Sequence, residues 1–128
     1  MLIETPSILV TDDDSAFRET VREMLEPRGF RMLTAGDGEE ALKIVSREPI
    51  HLLLLDMHMP RLTGLETVQR IRQIRWQLPC VLLSAALDET IVQQARQADV
   101  FSILPKPVSR CDITNTVDQV FRHIYGWP

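Results

Sequence analysis

The chain has 128 residues, 45% hydrophobic and 25% charged, which fits one ordinary soluble domain with enough apolar material for a single core. Basic side chains number 14 and acidic ones 18, and no Lys/Arg cluster exceeds two residues, so the formal charge of -4 argues against direct nucleic-acid binding. The apolar run Leu52 to Leu55 is far too short to span a membrane, and Met1 to Glu4 lacks a signal-peptide pattern, so a cytoplasmic setting is expected. Cys80 and Cys111 suggest neither a disulfide framework nor a zinc site; two buried or half-buried free thiols in a reducing compartment are expected.

Five short apolar runs alternate with segments of helical period. Ser7 to Thr11 is the first run, and it ends in Asp12-Asp13-Asp14. Phe17, Val21 and Leu25 then stand four apart until Arg28-Gly29 closes a helix. Asp14, with Ser15 as a rival, is the candidate N-cap. Arg31 to Ala35 is a weaker second strand, and Asp37-Gly38-Glu39-Glu40 reads as an Asp-led capping box for a helix that Pro49 ends. His51 to Leu55 is nearly all leucine, the mark of a strand buried on both faces. Leu65, Val68, Ile71 and Ile74 form a third helical stripe. Cys80 to Ser84 is the fourth strand, and Asp88 caps a helix carrying Ile91, Val92 and Ala95. Val100 to Leu104 is the fifth strand. Ile113, Val117, Val120, Phe121 and Ile124 mark a long last helix.

Such alternation with short connections means βαβ units, and therefore a parallel sheet covered on both faces. Five units fit an α/β, doubly wound sandwich. In that architecture the functional site lies beyond the carboxyl ends of the strands. Those ends carry Asp12-Asp13-Asp14, Asp56, Ser84 and Lys106.

Several carboxylates crowded together repel, and a hard divalent cation with oxygen ligands relieves them; Mg2+ is the usual ion where phosphate is handled. Asp12 and Asp13 are placed to hold it, and Asp56 to share it. A carboxylate in that setting can attack phosphorus and become an acyl phosphate. Lys106 and the Ser84 hydroxyl would then take phosphoryl oxygens. Singly each residue is ordinary: a cap, a loop acid, a turn serine, a solvated lysine. Their joint placement after strands one, three, four and five is not.

The ordered set Ile8 to Asp14, Ala35 to Leu42, Leu54 to Pro60 with Gly64, Leu82 to Ala85, and Leu104 to Pro107 resembles the receiver domains of response regulators over nearly the whole chain. The resemblance implies a single domain over 1–128 (core about 6–125) with a five-stranded, flavodoxin-like sheet in the order 2-1-3-4-5. Asp56 would be the phosphoacceptor. Asp13 would ligand Mg2+ directly, Asp12 mainly through water, and the Met57 backbone carbonyl would complete the protein ligands. Ser84 would be the switch hydroxyl and Lys106 the phosphoryl contact, followed by a cis bond to Pro107. The donor would be a histidine kinase or a histidine phosphotransfer protein. The output surface would lie on helix four, strand five and helix five, roughly Asp88 to Tyr125. A monomer or weak dimer is expected, acting as a self-modifying switch rather than as an enzyme with a separate substrate.

Two positions depart from the family pattern. Ile103 stands where Tyr or Phe is common, with Phe101 expected on the same strand face. Asp99 replaces a frequent glycine, and Asp tolerates positive φ better than most residues. His58 and Ala86 stand two residues after Asp56 and Ser84, at positions that in the family tend to tune phosphoryl lifetime through water access; His58 would order a water or merely flank the site, and Ala86 offers no polar group. Two other functions compete. One is a receiver-like binding module that is independent of phosphorylation. The other is an aspartyl-phosphate phosphatase of the haloacid-dehalogenase type, which would need an acid where His58 stands.

Overall fold

The leucine run becomes the middle of the sheet. In the computed structural model, which describes residues 5–128, β3 (Leu52–Asp56) has β1 (Ser7–Thr11) on one side and β4 (Cys80–Ser84) on the other. Beyond them lie β2 (Arg31–Ala35) and β5 (Ser102–Pro105). All pairings are parallel and the order is β2-β1-β3-β4-β5. All residues of β1, β3 and β4 are buried, so their sequences need no polar alternation.

Side chains alternate between two cores. Leu9, Leu53, Leu55, Cys80 and Leu82 face one layer, formed with α2 (Gly38–Arg47), α3 (Gly64–Ile74) and α4 (Glu89–Gln97). Ile8, Val10, Leu52, Leu54, Val81 and Leu83 face the other, formed with α1 (Ser15–Leu25) and α5 (Arg110–Tyr125).

Helix starts follow capping chemistry. Asp14 accepts from the amides of Ala16 and Phe17, so Ser15 opens α1 and is not its cap. Asp37 accepts from Glu40 N–H, but the Glu40 carboxylate takes the Gly36 amide rather than that of Asp37. The box is therefore only half formed there. Complete boxes occur at Thr63/Glu66 and Ser109/Asp112, neither foreseen from sequence. Asp88 caps α4 through Ile91 N–H.

Several boundaries and faces differ from expectation. β3 starts at Leu52, because His51 is spent as an edge group: its Nδ1 accepts from Ser7 N–H and its carbonyl from the Tyr125 hydroxyl. β5 starts at Ser102. Asp99 adopts φ +58, in the left-handed region, where the chain leaves α4. Phe101 lies before the strand and packs with the α1/α5 layer beside His123, whereas Ile103 packs with the α3/α4 layer. The two therefore do not share a face; strand alternation does not extend back through the turn. Ile74 and Ile124, at the last turns of their helices, are 49% and 50% exposed, having run past the core. Cys80 is buried, with burial pushing its thiol up to about 11, but Cys111 is exposed on the first turn of α5.

Gly64 fixes how α3 approaches the end of β3. Its N–H donates to Met57 O at 2.9 Å, and a Cβ there would press on the Asp56 carbonyl and lie 2.9 Å from Met57 Cα. Gly64→Ala is expected to cost about 1–3 kcal/mol, read from the denaturant midpoint, because backbone rather than a flexible side chain must yield.

Candidate phosphoacceptor site

Strand order delivers the site. Asp56 is the last residue of β3 and Ser84 the last of β4; Asp12 follows β1 and Lys106 follows β5. Carboxylate oxygens of Asp12, Asp13 and Asp56 lie within 4.8 Å of one another. Asp12 and Asp56 are 1% and 6% exposed, while Asp13 faces solvent. The sequence-selected residues therefore converge.

Each group is held from below. Asp12 Oδ1 accepts from Asp14 N–H, and its backbone carbonyl accepts from Arg18 at 2.7 Å, tying α1 to the end of β1. Lys106 Nζ donates to Asp12 Oδ2 at 2.7 Å and stands 3.4 Å from Asp56 Oδ1. The same ammonium sits 4.4 Å from the Phe17 ring centroid. The helical period places Phe17 on the core stripe of α1, but no local pattern signals its cation–π contact with Lys106. Lys106 N–H donates to Ser84 O, and the Lys106–Pro107 bond is cis. Ser84 Oγ accepts from Ala86 N–H at 3.2 Å and lies 3.0 Å from His58 Nε2. The Met57 carbonyl accepts from Gly64 N–H and keeps its second lone pair.

The electrostatics are those of a crowded acidic site with one internal cation. Burial, then the negative charge of Asp12, raises the Asp56 pKa above its ordinary value, against opposing contributions from Lys106 and the His58 amide. Burial alone would lower the Lys106 pKa, but the hydrogen bond and charge of Asp12, with Asp56, outweigh it and raise the value. One lysine thus balances part of the negative charge, and the remainder suits a divalent cation. A cleft of about 860 Å3 opens at the other end of the strands, beside Arg75, Trp76 and Tyr125, and includes none of these groups.

A sequence profile described as "Response regulator receiver domain" matches residues 8–118. The chain belongs to that family. It is 34% identical over 119 residues to response regulator RR06 of Streptococcus pneumoniae, covering 93% of this chain and 54% of that protein. To a probable chemotaxis protein CheY of Rhizobium etli it is 30% identical over 123 residues, covering 94% of this chain and 95% of the other. Among solved structures, a receiver domain protein from Clostridium thermocellum superposes with TM-score 0.85 at 28% identity, covering 91% and 94% of the two chains. CheY4 of Vibrio cholerae gives 0.85 at 26%, covering 91% and 98%. The chain spans about half the length of relatives such as RR06 and nearly all of the CheY relative. Receiver domains are signalling switches, so the phosphatase alternative is set aside. No helix among the described residues is long and apolar enough to cross a membrane.

The raised Asp56 pKa gives a testable sign. The folded protein keeps that proton to higher pH than the unfolded chain does. Stability therefore falls as pH rises through the interval between the ordinary and the raised value, and the loss stays in place above it. Asp56→Asn removes the penalty. Without added metal at pH 7, the variant is expected to unfold at a higher temperature than wild type. The gain should disappear below the carboxylate range. An Asp56→Asn variant less stable than wild type at pH 7 would contradict the electrostatic account.

Proposed function

We propose that this receiver domain takes a phosphoryl group onto Asp56 from a phosphohistidine donor, supplied by a histidine kinase or a histidine phosphotransfer protein. The observation carrying this reading is the convergence of Asp12, Asp13 and Asp56 with Lys106 and Ser84 at one rim of the sheet. Asp56 Oδ attacks phosphorus, the phosphorus–nitrogen bond of the donor breaks, and the departing imidazole nitrogen recovers a proton from water. Lys106 is already 3.4 Å from the attacking carboxylate and would move its charge onto the phosphoryl oxygens. Ser84 would supply a hydroxyl to another oxygen.

Mg2+ fits the donor set: three carboxylates within 4.8 Å and a raised carboxyl pKa leave negative charge for a hard cation. Asp12, Asp13, Asp56 and the Met57 carbonyl would hold it. When bound, it neutralises charge on the transferring group. Asp13, exposed and free of the lysine, suits direct ligation; Asp12, occupied by Lys106 and Asp14 N–H, suits a water-bridged role.

Residues 6–125 would form the switching unit, acting in the cytoplasm as a monomer or weak dimer. Output would be a population shift on the face of α4, β5 and α5, binding a downstream partner and not nucleic acid directly. Ile103 is half-buried against the α3/α4 layer and would carry the switch by aliphatic repacking in place of an aromatic flip. The test is beryllofluoride with Mg2+, followed by amide NMR on wild type and Asp56→Asn. Shifts at Asp56, Ser84 and Lys106 that spread into α4 and α5, and vanish in the variant, are expected. No response in wild type at saturating Mg2+ would leave only a phosphorylation-independent binding module.

A further inference from the structure

The Ser84 hydroxyl is not idle in this structure. Ser84 is 1% exposed, and a buried hydroxyl proton needs an acceptor. Its oxygen already accepts from Ala86 N–H at 3.2 Å. Its other polar neighbour within hydrogen-bonding reach, among the described residues, is Nε2 of His58 at 3.0 Å. The economical arrangement has Ser84 Oγ–H donating to an unprotonated Nε2, with the imidazole proton on Nδ1.

We propose that His58 is a positioning residue that holds the Ser84 hydroxyl in its resting orientation and competes with a phosphoryl group for its single proton. The inference rests on the phosphoacceptor reading of Asp56. It differs from a role for His58 in admitting or ordering water, because it acts wholly through Ser84. A hydroxyl has one proton, so donation to a phosphoryl oxygen requires release from Nε2. His58 stands on the exposed mouth of the site, where its ring can swing out without disturbing the core. The bond therefore biases the domain towards its unphosphorylated arrangement by about the worth of one neutral hydrogen bond.

The experiment is a double-mutant cycle on beryllofluoride affinity at fixed saturating Mg2+, using wild type, His58→Ala, Ser84→Ala and the double variant. His58→Ala should bind about 2–10-fold more tightly than wild type, the range of one net hydrogen bond. In the Ser84→Ala background the same change should have less than about twofold effect. Long-range proton–nitrogen NMR of the resting protein, above the pH where imidazoles are charged, should show His58 with its proton on Nδ1. Unchanged or weaker binding in His58→Ala overturns the proposal. So does an equal gain in the Ser84→Ala background, which would assign His58 to access or bulk. A neutral ring protonated at Nε2 overturns it as well. Absence of wild-type binding is a separate result, removing the phosphoacceptor reading itself.

Discussion

The structure depends on keeping carboxylates at the rim of an apolar sheet. β3 offers four buried leucines and then Asp56, so the proposed phosphoacceptor is the first polar group met on leaving the core. Burial beside Asp12 is unfavourable, and the cost is partly met by Lys106, which reaches from the end of β5 across the site. That ammonium is in turn steadied by the Phe17 ring on α1. Three elements from both halves of the sheet thus meet at one charge. Any group that alters the charge of Asp56 must act on all of them.

This geometry would let a small covalent change at Asp56 be felt at a distance. Lys106 sits one residue after β5 and two before Val108, on the chain leading into α5; its amide is bonded to Ser84 O at the end of β4. Ser84 and Lys106 are therefore linked through backbone as well as through the site. A phosphoryl oxygen drawing both towards Asp56 would pull the ends of β4 and β5 together. The layers flanking those strands end in partly exposed helices, α4 having only Ala95 fully buried. With the fewest buried residues of the five α-helices, α4 has least to lose among them on rearrangement.

The parts of this architecture legible in the sequence were those with one physical solution. Unbroken apolar runs mark strands buried on both faces, which β1, β3 and β4 are, and the expected bounds of all five strands, the partly exposed β2 and β5 included, lie within two residues of those observed. Asp14, Asp37 and Asp88 announced caps because few other residues satisfy free helix amides. The strand-end rule then gathered Asp12, Asp13, Asp56, Ser84 and Lys106 without any contact being known. What failed was orientation. Phe101 and Ile103 face different layers because Phe101 precedes β5, so the extended alternation that puts i and i+2 on one face has not begun there. Ile74 and Ile124 fit a helical period but lie past the core. The Phe17–Lys106 and His58–Ser84 contacts join residues distant in sequence, with no local pattern to reveal them.

The central claim is that Asp56, and no other side chain, accepts the phosphoryl group. The most direct measurement treats the protein with phosphoramidate and Mg2+, reduces any acyl phosphate with borohydride, and maps the resulting homoserine by peptide mass spectrometry. Conversion at Asp56 alone, absent when Mg2+ is withheld, is the result this account predicts. Conversion at Asp12 or Asp13, or a stable phosphohistidine at His58 with Asp56 untouched, would contradict it.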